Sequence, residues 1–194
     1  MPYLVYHHRK RRNRSSARGK RGVRIQNRTM IEKRPAGAND RTEPGHWEAD
    51  TAIPRESKAA FMAMVERTSR FLMARKLKSK MAVYMDQAIF LCLSILPKKL
   101  RKSITYDNGT ENALHEKTNK RLETKSYFCN PYHSWEKGSI ENRIGILRRY
   151  FPKKTNWALI TQRQLNTIVR RINNRPMKCL GYKTPYEVFV ALRY

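Results

Sequence analysis

In a chain with 42 Lys and Arg against only 15 Asp and Glu, a net charge of +27 over 194 residues, the placement of the few acids carries information. Asp50 lies inside a β-rich run, Asp107 directly follows another, and Glu141 falls near the start of a helical pattern after a loop containing Gly138. Carboxylate oxygens are hard ligands that suit Mg2+ or Mn2+. Two such ions about 3.5 to 4 Å apart activate a hydroxyl and stabilise a departing oxygen in phosphodiester chemistry. The basic remainder of the chain would then grip the phosphates. Spacing alone leaves a plainer alternative open, in which each acid ends a strand or begins a helix and does no chemistry.

The elements that must position these acids show clear periods. Short β-rich runs at Trp47 to Ile53, Ala60 to Glu66 and Phe71 to Leu77, separated by turn residues, predict three antiparallel strands. Met81 to Leu96 spaces apolar residues at three and four and stops at Pro97, as an amphipathic helix does. Ser103 to Tyr106 and Ser126 to Cys129 predict a fourth and a fifth strand, ending at Asp107-Asn108-Gly109 and Asn130-Pro131, with a helix between them. Helices are predicted at Ile140 to Tyr150, at Gln162 to Ile172 and after Thr184-Pro185. The sum is an α/β fold with a mixed five-stranded sheet, three antiparallel strands then two parallel, flanked by helices. Ligand sites in such sheets favour strand ends. If the first and fourth strands are neighbours, Asp50 and Asp107 come side by side, and a helix crossing their ends brings Glu141 close.

Residues 1–44 read differently from residues 45–194. The first 34 residues hold 12 basic side chains, among them Arg9, Lys10, Arg11, Arg12, Lys20 and Arg21, against the single acid Glu32. Their mutual repulsion and the lack of a packing period predict a largely extended basic arm before a core that starts at residue 45. At about 3.3 Å per residue such an arm tracks a nucleic-acid backbone over several turns. The longest apolar run, Ala88 to Leu96, is half of the roughly 20 residues a membrane span needs, and no apolar segment follows the N-terminal basic residues as in a secretory signal. A membrane is therefore not an expected partner, and an intracellular, cytoplasmic and nucleoid-associated protein is. Cys92, Cys129 and Cys179 are odd in number and scattered, which predicts free thiols. No G-x-x-x-x-G-K-S/T run is present, which speaks against nucleotide hydrolysis.

Local sequence sharpens the reading of the acids. Thr105-Tyr106-Asp107-Asn108-Gly109-Thr110-Glu111 resembles the second-aspartate motif of the retroviral integrase and DDE transposase superfamily. Gly45-His46-Trp47-Glu48-Ala49-Asp50-Thr51 is similar to its first-aspartate strand. Tyr127 to Tyr132 through Trp135, Gly138 and Glu141-Asn142, then Arg148, Tyr150, Phe151 and Pro152, is similar to its third motif. The 33 residues between Asp107 and Glu141 fit the separation in that superfamily. Asn27-Arg28, Arg34-Pro35, Asn173-Asn174-Arg175-Pro176 and Leu180 to Pro185 correspond to bacterial transposases of the insertion-sequence-thirty type, and the resemblance spans roughly residues 22–190. Ala49 stands where that family commonly has Gly, and Ile140 where it has a polar residue.

The resemblance implies a ribonuclease-H-like catalytic core in which Asp50, Asp107 and Glu141 hold two Mg2+, with Mn2+ as a substitute. The implied reaction is DNA cleavage followed by strand transfer in transposition of an insertion sequence. It implies double-stranded DNA, both element ends and target, as partner, and a homodimer or higher oligomer on DNA. A helix-turn-helix region that reads element ends is not matched ahead of the core, so the chain looks like the catalytic half, with a separate end-binding region as a further partner. Arg148, two helical turns after Glu141, and Asn142 are expected to contact DNA or orient Glu141. Tyr132 and Trp135 are candidates to stack on an unpaired base. Arg143 and Arg149 read as solvated or general phosphate contacts, Asn108 and Gly109 as a sharp turn after Asp107, and His46 and Glu48 as lesser candidates at the metal site because they share a strand face with Asp50. The methionines Met62, Met64, Met73, Met81 and Met85 read as packing. A basic nucleic-acid-binding protein without catalysis, or an inactive transposase remnant, is the alternative; a nuclease of the same fold is a third reading.

Overall fold

A computed structural model of the chain describes residues 25–55, 57–131 and 133–193. Arg9, Lys10, Arg11, Arg12, Lys20, Arg21 and Tyr132 lie outside the described residues. The strands are β1 (His46–Ala52), β2 (Ala60–Glu66), β3 (Leu72–Leu77), β4 (Ser103–Tyr106) and β5 (Lys125–Phe128). The helices are α1 (Ala36–Asn39), α2 (Ala82–Leu93), α3 (His115–Leu122), α4 (Gly138–Tyr150), α5 (Gln162–Asn173) and α6 (Pro185–Ala191). The sheet runs in the order β3-β2-β1-β4-β5. The β1–β2 and β2–β3 pairs are antiparallel, and the β1–β4 and β4–β5 pairs are parallel, as the sequence predicts.

Both faces of the sheet are covered, and the two-residue period of β2 shows it. Ala60, Met62 and Met64 join the core under α2, with Trp47, Ile89, Leu93 and Phe128, whereas Phe61, Ala63 and Val65 join a second core under α4 and α5, with Ile144, Leu147, Trp157 and Leu165. The Phe61 and Trp157 rings stack at 4.2 Å in that second core. On β1 the alternation sends Trp47 and Ala49 to the α2 side and Ala52 to the α4 side. His46, Glu48 and Asp50, in step with Ala52, therefore face the helix that carries Glu141. Gly45 enables the turn into β1: its φ is +94°, and a Cβ there would lie 2.5 Å from the Lys99 carbonyl oxygen. Among the methionines, Met62, Met64 and Met85 are buried as expected, but Met81 is 58% exposed, because it stands just before α2 rather than inside it.

The two sheet edges are closed by side chains and by a segment the sequence reading left extended. On β3, Asn173 of α5 accepts from the Leu72 amide at 2.9 Å and donates to the Leu72 carbonyl at 2.8 Å, while Gln162 accepts from the Lys76 amide at 2.8 Å. The backbone groups of an edge strand are thereby satisfied. On β5, the Phe128 amide donates to the Thr29 carbonyl at 2.9 Å, and Met30 bridges Phe128 in parallel. The packed chain thus begins before the expected boundary at residue 45: Ile25, Ile31, Arg34 and Ala38 are all buried. Charge density misled the reading here. The pairing that orders residues 25–44 is long-range, and no local period reports it.

Candidate active site

The parallel pairing of β1 and β4 ends with Glu48 opposite Thr105. Two residues further along the chain from this pair stand Asp50, inside β1, and Asp107, just past the end of β4, on the carboxyl side where α/β sheets form their crevices. The junction is held by local bonds. Asp107 Oδ1 accepts from the Gly109 amide at 3.1 Å and from Asn112 Nδ2 at 2.8 Å. Asn108 Nδ2 donates to the Cys129 carbonyl at 2.8 Å and its Oδ1 accepts from Arg28. The turn therefore uses no left-handed residue at Asn108 or Gly109 (φ of Gly109 is −67°), and Asn108 acts through its side chain, tying the β4 end to β5.

Glu141 sits in the first turn of α4, and that turn is tied to β1 by Glu48. This carboxylate is fully buried, pairs with Arg67 and accepts from the Ile140 amide at 3.0 Å. Arg67 in turn donates to the carbonyls of Ala38 at 2.7 Å and Asn39 at 3.2 Å. Ser139 accepts from Arg70 at 2.7 Å. Glu48 thus belongs to the scaffold of α4 and not to a metal site. His46 is tied instead to β4 and to the segment before β1: its Nδ1 lies 2.7 Å from Ser103 Oγ and its Nε2 3.0 Å from Glu43. Arg143 is also scaffold, contrary to its reading as a solvated charge. It is buried and donates to the Arg70 carbonyl at 2.9 Å, and burial, with Arg70 nearby, pushes its guanidinium down to about 10.

Asp50, Asp107 and Glu141 line one cleft of about 410 Å³ together with Asn108, Cys129, Asn130, Pro131, His133 and Lys137. A cation already lies between the two aspartates: Lys137 Nζ is 3.3 Å from Asp50 Oδ2 and 3.5 Å from Asp107 Oδ2. It also donates to the Ala49 carbonyl at 3.4 Å. Burial works against the charged ammonium, but the charges of Asp50 and Asp107 outweigh it, so the lysine is held above its ordinary range. Sequence reading missed Lys137; its signal was a basic residue one helical turn before Glu141 in a motif already singled out. Glu141 is exposed on α4, and among the described residues no three His, Cys, Asp or Glu side chains converge as a ligand set. The donors nevertheless fit a hard divalent ion, because two carboxylates already share one cation and a third lines the same cleft.

The other predicted residues are placed as follows. Asn142 is exposed on α4; Arg148, two turns beyond Glu141 on the same helix, is half-buried, and its Nε is shielded from solvent with no hydrogen-bond partner among the described residues. Trp135 belongs to the 3-10 turn Ser134–Lys137 just before α4. Cys129 is buried in the wall of the cleft, and burial pushes its thiol up to about 12. All three cysteines are free. Among the described residues no helix is long and apolar enough to cross a membrane.

No protein-family model matches the chain. It is 38% identical over 176 residues to the transposase InsI of insertion sequence element IS30C of Escherichia coli strain K12, a match that covers 90% of this chain and 46% of that protein. It is also 38% identical over 187 residues to the transposase of insertion sequence element IS4351 of Bacteroides fragilis, covering 96% of this chain and 57% of that one. The chain spans about half the length of these curated relatives. Among solved structures, the catalytic core domain of BIV integrase matches with a TM-score of 0.59 at 18% identity, over 76% of this chain and 94% of that one. A chain of the simian T-cell lymphotropic virus intasome in complex with PP2A regulatory subunit B56 gamma matches with a TM-score of 0.62 at 20% identity, over 75% of this chain and 54% of that one. The fold is that of a retroviral integrase core, ribonuclease-H-like, and over 90% or more of its length the chain is similar to insertion-sequence transposases of the IS30 type.

Proposed function

We propose that this chain is the catalytic core of a DDE transposase that cuts and joins double-stranded DNA in the movement of an insertion sequence. The observation that supports this best is the meeting of Asp50 and Asp107 at adjacent parallel strand ends around one cation, with Glu141 lining the same cleft. Asp50 and Asp107 would hold Mg2+, or Mn2+ in its place, and Glu141 would complete a site for two ions by a change of its exposed side chain. Bound there, the ions supply activation of the attacking hydroxyl and stabilisation of the leaving oxygen.

The chain's own residues bind and orient. Glu48 fixes the start of α4 and so the position of Glu141 relative to β1. Asn112 and the Gly109 amide hold Asp107 through one oxygen and leave the other facing the cleft. Arg148 and Asn142 contact the phosphates of the reacting strand, Tyr132 and Trp135 stack on an unpaired base, and Arg9, Lys10, Arg11, Arg12, Lys20 and Arg21 track the backbone further away. Cleavage leaves a DNA 3′-hydroxyl. Its attack on a target phosphodiester forms one P–O bond as another breaks, so no nucleotide need be hydrolysed. Joining two element ends to one target requires at least two copies of the chain on DNA.

Nicking and joining of supercoiled plasmid in Mn2+ and then Mg2+, by the chain and by its Glu141→Gln variant, tests this reading. Cleavage or joining by the parent alone is expected. Undiminished joining by the variant would overturn the assignment of Glu141, whereas salt-sensitive binding with no ion-dependent cleavage by either would favour a basic DNA-binding protein without catalysis.

A further inference from the structure

Lys137 is a buried charge that the proposed reaction does not use. Its side chain is 4% exposed, and its ammonium makes contacts with Asp50, Asp107 and the Ala49 carbonyl. A divalent ion bound by the same two carboxylates would sit about 2.0 to 2.6 Å from their oxygens. That volume is the one the ammonium now fills, and two cations a few Å apart in a partly desolvated cleft repel strongly.

We propose that Lys137 is a resident cation of the carboxylate site, which bridges Asp50 and Asp107 before a divalent ion binds and is displaced when one does. The inference rests on the reading that these aspartates hold the metal. Three observations carry it beyond a surface ion pair. Lys137 reaches both aspartates at once and so keeps two like charges from repelling across the β1–β4 junction. It stands at the joint between the 3-10 turn Ser134–Lys137 and α4, beside Gly138, whose Cβ position opens on empty space, so the joint has room to turn. The displaced ammonium stays beside a cleft that opens to solvent, where the chemical group it suits is a phosphate oxygen of DNA. Divalent ion and DNA therefore bind cooperatively through this one side chain: DNA that receives the ammonium eases its displacement, and by linkage the ion strengthens DNA binding by the same factor.

Mn2+ binding to the full chain, measured by titration calorimetry without DNA, tests the proposal on the parent, Lys137→Met and Asp50→Asn. Lys137→Met keeps the buried stem and removes the competing charge, and it is expected to bind Mn2+ about tenfold more tightly than the parent, a coupling of ordinary size. Its melting temperature without divalent ion should fall, and excess Mn2+ should raise it by more than in the parent. Equal or weaker Mn2+ binding by Lys137→Met overturns the displacement. If melting shows that Lys137→Met does not fold, Lys137→Gln is read by the same criterion. The Asp50→Asn variant separates the two layers of the account: if it binds Mn2+ as well as the parent does, the carboxylate reading itself fails.

Discussion

Glu48 and Asp50 lie two residues apart on one strand and on one face, yet the fold makes them opposites. Glu48 is fully buried, paired with Arg67 and bonded to the Ile140 amide, so each oxygen is committed to the scaffold. Asp50 has a side chain 22% exposed at the lip of a cleft; one oxygen accepts from the Thr51 amide at 2.6 Å, and the other faces a lysine shared with a second acid. A buried charge with every partner in place is costly to disturb and has nothing left to offer a ligand. A carboxylate at an open strand end, beside another acid, keeps a lone pair for an incoming cation. His46 extends the series at the other end of the strand, buried between Ser103 and Glu43. Along this face the strand changes from framework to chemistry within a few residues, and burial, not residue type, marks the transition.

The largest effects should come from exchanging the two acids' fates. Asp50→Asn and Asp107→Asn are each expected to lower strand cleavage by more than about a thousandfold while costing less than about 1 kcal/mol of stability, because both side chains are partly solvated. Glu48→Gln is expected to act first on stability, losing about 3 to 5 kcal/mol as Arg67 is left buried without its counter-charge. Urea unfolding beside a plasmid-cleavage assay reads both axes. A Glu48→Leu, Arg67→Met double variant that regains most of that stability would sharpen the comparison, since it removes both buried charges together. Equal stability losses for Asp50→Asn and Glu48→Gln would break it.

A smaller effect concerns the wall of the cleft. Cys129 lines it, but burial holds its thiol protonated, whereas Cys179 is exposed. An alkylating reagent near neutral pH should therefore label Cys179 well before Cys129, and mass spectrometry of the labelled peptides gives the order. Rapid labelling of Cys129 would mean that the cleft wall opens. The smallest effect is a pH dependence. Burial holds His46 below its ordinary value of 6.5, with Glu43 offsetting only part of the shift. The unfolded chain then takes up the proton first, so this residue's contribution to stability is intact above that value and is lost as pH falls through it toward the folded-state value. Melting the parent and His46→Gln across that interval should show a weaker acid sensitivity in the variant.

Much of the sheet was legible in the sequence because the period-two runs of β1, β2 and β3 and the turn residues after Tyr106 and Phe128 are local signals. The neighbouring of β1 and β4 was expected only conditionally, because β1 and β3 run the same way and a parallel β4 could have lain beside either. Asp50 inside the first strand and Asp107 at the tip of the fourth were legible from the local strand and turn signals. Lys137 was missed and Arg143 misread because charge on a page looks like charge in solvent, and Glu48 was expected at the metal site only as a lesser candidate. Only the packing of α4 against β1 and β2 shows that these three are buried and what they bind. The early start of the packed chain escaped for a related reason, since residues 25–34 are ordered by partners about a hundred positions away, at Phe128 and Asn130.

The central claim is that β1, β4 and α4 bring Asp50, Asp107 and Glu141 to a common metal. Fe2+ loaded in place of Mg2+, with ascorbate and peroxide, cuts a polypeptide backbone next to the bound ion, and the fragments report which segments touch it. The account predicts cuts clustered near residues 50, 107 and 141, all suppressed together by Asp50→Asn or by excess Mg2+. Cuts elsewhere in the chain, or cuts near residue 141 that persist in Asp50→Asn, would contradict it.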